Sequence, residues 1–293
     1  MMGLIDCHLH LIDRKVAQHS WLGDVPALQG RDFTLDDAQA LYGGEVAGAI
    51  FMEVDVDAAD IRAEARWIGG LVARGRLLGQ ICACRPEHDD PGALDDWIAE
   101  ARTLGAVGMR RILHTVPDEV SESQVFRANV RRIGRAGLTF DMNFLHRTLD
   151  RAEALARACD DMVLVLDHCG TPDIAGGEWE IWAAGITRLA ALPHVNVKLS
   201  GVTAYAAPGA DHAAAVAPYI DHVLTSFGTG RVVWGSDWPV VNMGAGLPGW
   251  LAITRAVLSR LSADEAADVA RNNAGRIYGV TLQAPDSSAN TAP

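Results

Sequence analysis

The chain has 293 residues, 49% of them hydrophobic, and a formal net charge of -12. That length suits one α/β barrel with modest insertions, and the apolar fraction supplies a sizeable core. The acidic balance makes nucleic acid and anionic membrane surfaces poor partners.

Eight short apolar runs can be placed in order, over residues 4–8, 46–54, 77–84, 107–113, 138–143, 162–168, 195–200 and 231–237. Between them lie amphipathic stretches at 58–74, 94–103, 122–135, 147–159, 179–190, 213–226 and 249–261. Strands that alternate with helical patterns of this length indicate βαβ units and a parallel sheet. The strand runs are continuously apolar, as strands covered on both faces should be. Residues 22–37 read as a longer loop after the first strand, lying over the barrel mouth. The expected fold is an α/β (β/α)8 TIM barrel in one domain, residues 1–282. The Ser-, Ala- and Pro-containing stretch 283–293 reads as a flexible tail.

Five cysteines, Cys7, Cys82, Cys84, Cys159 and Cys169, form no CxxC pair, so reduced thiols are expected. No signal-like segment precedes the first strand, and no apolar run is long enough to span a bilayer. A cytoplasmic protein without a membrane partner is the expectation. Oligomeric state is not readable.

Titratable groups gather where the strands end, and in a parallel barrel that is where catalytic groups sit. His8 and His10 share a face of the first strand, because side chains alternate along a strand. Two imidazoles there offer two nitrogen ligands, or a base and a donor. Asp167-His168-Cys169-Gly170 closes the sixth run, and Asp237 follows Val-Val-Trp-Gly-Ser at the end of the eighth. A carboxylate in that place is costly to bury alone. It either takes a proton from water, holds a metal-bound water, caps a helix or pairs with Arg231. Arg110 and Arg111 end the fourth run and point to opposite faces, so one at most faces the pocket. Such an arginine grips a carboxylate or sugar hydroxyls, or meets an oxyanion. Lys198 lies inside an apolar strand and calls for an anionic partner. Glu53 closes the second run and can pair with Lys198 or an arginine, or bind hydroxyls. His114, Asp141, Asn143 and His146 stand near other strand tips. Trp21, Trp234 and Trp238 are candidates to line a pocket, with core packing as the competing use.

Four motifs in order, Ile-Asp-Cys-His-Leu-His, Leu-Asp-His-Cys-Gly, Val-Lys-Leu-Ser-Gly and Val-Trp-Gly-Ser-Asp-Trp-Pro, resemble the amidohydrolase superfamily. Within it they look like the lactonase branch of sugar lactonases (L-fuconolactonase, L-rhamnonolactonase) and 2-pyrone-4,6-dicarboxylate lactonase. The closing Asn272-Asn-Ala-Gly-Arg-Ile-Tyr-Gly is similar to that branch's terminal helix. The resemblance covers roughly residues 4–280. It implies hydrolysis of a small-molecule sugar-acid lactone, with Asp237, His168, His8 and His10 as catalytic groups. Glu53, Arg110, Arg111, Lys198 and Trp238 would then bind substrate. The chain departs from the superfamily's two-metal pattern: no lysine ends the fourth strand, and the fifth ends in Asn143. The branch is regarded as able to work without a metal. No cofactor is therefore expected to be required, while His8, His10, His168 and Asp237 could hold a single divalent ion such as Zn2+. The alternatives are a metal-dependent decarboxylase of the same superfamily, a 2-pyrone-4,6-dicarboxylate-type lactonase, or a barrel that binds a sugar acid without turning it over.

Overall fold

A computed structural model describes residues 3–88 and 90–282, so the expected tail 283–293 lies outside the described residues. Eight parallel strands, β1 (Leu4–Leu9), β2 (Val46–Met52), β3 (Gly79–Ala83), β4 (Ala106–Ile112), β5 (Thr139–Asn143), β6 (Leu164–Leu166), β7 (Val195–Leu199) and β8 (Val232–Trp234), are paired in sequence order. The sheet closes just past β8. Asp237 N donates to His8 O at 2.8 Å, His10 N donates to Trp238 O at 2.9 Å, and Leu9 bridges Trp238 in parallel. This is a (β/α)8 barrel, with each strand run landing within a few residues of its expected place.

The crossovers carry α2 (Ile61–Ala73), α3 (Pro91–Thr103), α4 (Gln124–Arg135), α5 (Leu149–Ala158), α6 (Trp179–Ala190), α7 (His212–Phe227) and α8 (Gly246–Leu258). One helix, α1 (Leu35–Tyr42), corrects the reading of 22–37 as loop alone. Thr34 and Asp37 form a capping box at its start, and left-handed Gly43 (φ 57°) ends it. The local chemistry is that of a helix terminus, but eight residues are too few for periodicity to announce it.

Two apolar regions result. Residues facing the helices, such as Phe140, Leu164, Val197 and Trp234, join the large cluster between strands and helices. Ile5, Ile50, Ile81, Val165 and Val233 come from five strands and fill the barrel interior. Ile277 and Tyr278 of the last helix (Asn273–Tyr278) belong to this second cluster.

Candidate active site

The position of β1 is fixed first. Asp6 is fully buried and accepts from His8 N at 3.0 Å, Ser236 N at 2.8 Å and the Tyr42 hydroxyl at 2.7 Å. One carboxylate thus ties together the first strand, α1 and the turn after the last strand. Asp6 and Leu9 pair with Ala49 and Phe51, so three steps on β1 match two on β2. A bulge of this kind re-aims side chains. Here Cys7 joins the barrel interior while His8 turns inward as well.

His168 and Asp237 are delivered by unusual backbone. The chain leaves β6 through left-handed residues at His168 (φ 51°), Cys169 (φ 53°), Gly170 (φ 70°) and Thr171 (φ 47°). Asp237 is left-handed too, at φ 55°. Each non-glycine residue there costs on the order of 1 kcal/mol, and such strain persists where surrounding contacts over-determine it. This turn is why β6 pairs over three residues although its apolar run reads longer. Gly201 (φ 69°) completes the setting. A Cβ at this position would stand 2.6 Å from His168 Nδ1 and 2.8 Å from Asp237 Oδ2. Only glycine leaves these two groups facing one another.

The four groups expected to cooperate converge. Asp237 Oδ1 lies 3.3 Å from His10 Nε2 and 3.7 Å from His8 Nε2, and Asp237 Oδ2 lies 3.9 Å from His168 Nδ1. The His8 and His10 rings are 4.8 Å apart, and His8 and His168 4.4 Å. Arg231, the competing partner for Asp237, instead donates to the carbonyls of Ala190, Leu192, Val195 and Phe227.

Beneath them lies a charged layer. Arg110 Nε donates to Glu53 Oε1 at 2.6 Å, Nη2 to Glu53 O at 2.6 Å and Nη1 to Asp167 Oδ2 at 3.2 Å. Lys198 Nζ donates to Asp141, stands 3.1 Å from Asp167 Oδ1, and reaches His8 Nδ1 at 3.3 Å. Tyr278 donates to Asp141 at 3.0 Å. Burial would raise Asp167, but Lys198 and His8 hold it well below the usual carboxylate range. Burial pushes Asp141 up to about 6 against the pull of Lys198. For His8, burial first and then the Lys198 ammonium push the imidazole well below its usual range, so it is neutral. Burial lowers His168 in the same sense.

Above this layer opens a cavity of about 270 Å³, with His10, Arg110, His168 and Asp237 on its wall. Four residues expected to contact a substrate do not line it. Lys198 and Glu53 are buried below, consumed by ion pairs. Arg111 points away from the barrel axis and pairs with Glu87 at 2.7 Å. Trp238 is fully buried, with its ring 5.4 Å from that of Phe33 in a T-shaped pair. A charged side chain in a barrel strand needs a partner before it needs a ligand, and an indole beside a strand tip finds apolar neighbours. The wall also holds Trp21, His114 and Asn143, together with Asp55 and Tyr205, which sequence reasoning passed over. Both lie a few residues beyond a strand end, in βα connections whose residue types carry no periodic signal. His146 sits apart from the cavity wall, 2.6 Å from Glu178.

The donor set suits a divalent cation. His8, His168 and Asp237 each offer an atom, all within 4.8 Å of one another. His10 Nδ1 donates to Met52 O at 2.9 Å, so its Nε2 lone pair faces the Asp237 carboxylate. Asp237 Oδ2 is buried and has no hydrogen-bond partner among the described residues. Acceptors turned toward each other, with the ring of His10 fixed by a carbonyl, are the arrangement of a nitrogen and oxygen metal site.

Known proteins share this architecture. An L-fucono-1,5-lactonase of Burkholderia ambifaria is 28% identical over 291 residues, which cover 97% of this chain and 98% of the relative. A zinc-bound amidohydrolase from Burkholderia multivorans superposes with a TM-score of 0.83 at 25% identity, over 95% of this chain and 100% of that one. A probable 2-pyrone-4,6-dicarboxylic acid hydrolase from Acinetobacter baumannii has a TM-score of 0.75 at 15% identity, over 95% and 100% of the two chains, and is a likeness of fold alone. Residues 5–280 match the amidohydrolase family, and with nearly the whole sequence matched this chain belongs to that family.

Proposed function

We propose that the protein is a lactonase that hydrolyses an uncharged sugar-acid lactone, of the L-fucono- or a related aldonolactone type, to the free acid. The observation that carries this reading is Asp237, strained into the cavity wall among three imidazoles. The similarity to an L-fucono-1,5-lactonase over almost the full length supports it.

The lactone carbonyl sits over Asp237. The Asp237 carboxylate takes a proton from water as the oxygen attacks the carbonyl carbon. Arg110 and His168, both on the cavity wall, face the oxygen on which negative charge develops; donors so placed contribute a few kcal/mol. The carbon–oxygen bond of the ring then breaks, and Asp237 returns its proton to the departing ring oxygen. His8, His10, His168 and Asp237 would hold a divalent ion such as Zn2+, which when bound supplies a Lewis acid for the carbonyl oxygen. Glu53, Asp167 and Lys198 act on the substrate indirectly, by holding Arg110 and His8 in place.

Charge argues for a neutral substrate. Among the described residues on the wall, Arg110 is the one permanent cation, and Glu53 and Asp167 already neutralise it. Without a bound metal, a pyrone dicarboxylate, or the aromatic acid of a decarboxylase, would meet Asp55 and Asp237 on the wall and no unpaired side-chain cation among the described residues that line it. Five buried cysteines without a disulfide accord with a reducing compartment, and we assign the enzyme to the cytoplasm.

The test is Asp237→Asn on a panel of neutral 1,4- and 1,5-aldonolactones and carboxylated lactones, read by acid release. The variant should lose about 10²–10⁴ in kcat/KM, and the wild type should prefer the neutral compounds. Near wild-type turnover by the variant refutes the base assignment. Preference for carboxylated lactones refutes the substrate charge.

A further inference from the structure

The cavity wall mixes two chemistries. Ile12, Leu28, Pro239 and Val240 are apolar, while Asp55 after β2, His114 after β4 and Asn143 at the end of β5 are polar. We propose that Asp55 is the specificity-determining residue of this cavity, receiving ring hydroxyls and so selecting polyhydroxylated lactones over unsubstituted ones. This rests on the lactonase reading.

Three observations converge on Asp55. Its backbone is left-handed at φ 48°, a conformation an aspartate adopts at a cost. That conformation is imposed: Asp55 N donates to Glu53 Oε2 at 2.8 Å, and the other oxygen of Glu53 receives Arg110 Nε at 2.6 Å. The same carboxylate therefore fixes both the cation of the reaction centre and Asp55, holding the two in a set relation. Second, the Asp55 side chain is only 26% exposed, and its nearest cation, Arg85, stands 3.6 Å away, beyond a direct hydrogen bond. The carboxylate is partly stripped of water without a strong donor in exchange. Third, other polar groups on the same wall also suit hydroxyls. His114 Nδ1 donates to Asn143 Oδ1 at 2.7 Å. This leaves His114 Nε2 as an acceptor and the Asn143 amide NH2 as a donor.

A carboxylate accepts two hydroxyls at once. A lactone bearing a diol satisfies it, whereas a bare ring leaves it desolvated and unpaired. A site built to bond hydroxyls rejects the analogue lacking them far more strongly than an apolar pocket rejects a methylene.

The experiment compares L-fucono-1,5-lactone with δ-valerolactone, which has the same ring size and no hydroxyls. Both kcat and KM are measured for wild type, Asp55→Asn and Asp55→Glu. In Asp55→Asn the ratio of the two kcat/KM values should fall about 10- to 100-fold, the worth of a hydrogen bond to a charged group, chiefly through KM for the sugar lactone. Asp55→Glu keeps the charge and displaces it, and should shift the ratio the same way by less. Circular dichroism and the thermal midpoint of each variant report that its fold is intact. Equal losses on both substrates, or an unchanged ratio, would overturn the role of Asp55 and leave the lactonase reading standing. A wild type that opens no lactone would overturn both.

Discussion

Lys198→Met tests the charged layer beneath the site. Methionine preserves the length and most of the volume of the side chain, so the change removes charge with little change in packing. Lys198 is completely buried and serves two carboxylates, Asp141 and Asp167. After its loss Asp167 keeps Arg110 at 3.2 Å, and Asp141 keeps hydroxyl donors from Tyr278 at 3.0 Å and Thr139 at 3.2 Å. Removing one partner of a buried ion pair costs about 3–5 kcal/mol. For a chain of this size that is roughly 6–20 °C in Tm. The cost carries a pH signature. Asp141 already stands at about 6 in the folded protein against an ordinary 3.8. An acid whose folded pKa is raised binds its proton more tightly when folded, so its contribution to stability falls as pH rises through that window. Without the ammonium the folded value climbs further and the window extends above pH 6. The deficit of the variant relative to wild type should therefore widen from pH 5.5 to pH 8. Thermal unfolding followed by circular dichroism at both pH values measures it. A shift below about 2 °C at pH 8, or a deficit larger at the acidic pH, would refute the view that Lys198 holds two buried carboxylates.

Two further outcomes follow from the geometry of the site. Chelator-treated protein titrated with Zn2+ should gain stability with metal concentration, about 2.7 kcal/mol at a hundred times Kd, and His8→Ala should abolish the gain; a Tm that ignores zinc would refute the proposed donor set. Trp238→Phe should leave KM for the sugar lactone within about two-fold, whereas Trp238→Ala should cost about 3–5 kcal/mol, read as a lower urea midpoint. A raised KM in the phenylalanine variant would return Trp238 to the substrate.

The barrel was legible because its strands are buried on both faces, and continuous apolar runs mark such strands without any knowledge of pairing. The convergence of His8, His10, His168 and Asp237 could be read from strand tips alone, since parallel strands in a closed barrel bring their C-terminal ends together. What charged residues do once inside was less legible. Lys198 and Glu53 in apolar strands could equally face a ligand or each other's kind, and in the folded barrel Asp141, Asp167 and Arg110 satisfy them first. Periodicity could not separate Arg110 from Arg111 because alternation gives two faces without saying which is inside. The left-handed turn at His168 has no glycine at its first two positions, so nothing in the residue types announces it. Asp55 and Tyr205 escaped because they sit in the connections after β2 and β7, Tyr205 at the end of a single 3-10 turn, where neither a period of two nor of 3.6 applies.

Asp6 and Ser236, which meet through one hydrogen bond, are 230 residues apart in sequence. During synthesis the first histidines emerge from the ribosome long before the aspartate they are to face, and Tyr278, which donates to Asp141, comes later still. A nascent or truncated chain therefore holds half of its chemistry in a form that can do nothing. Proteolytic nicking that lets either terminus drift should silence the enzyme while most of its secondary structure survives. The loss would appear all at once rather than by degrees.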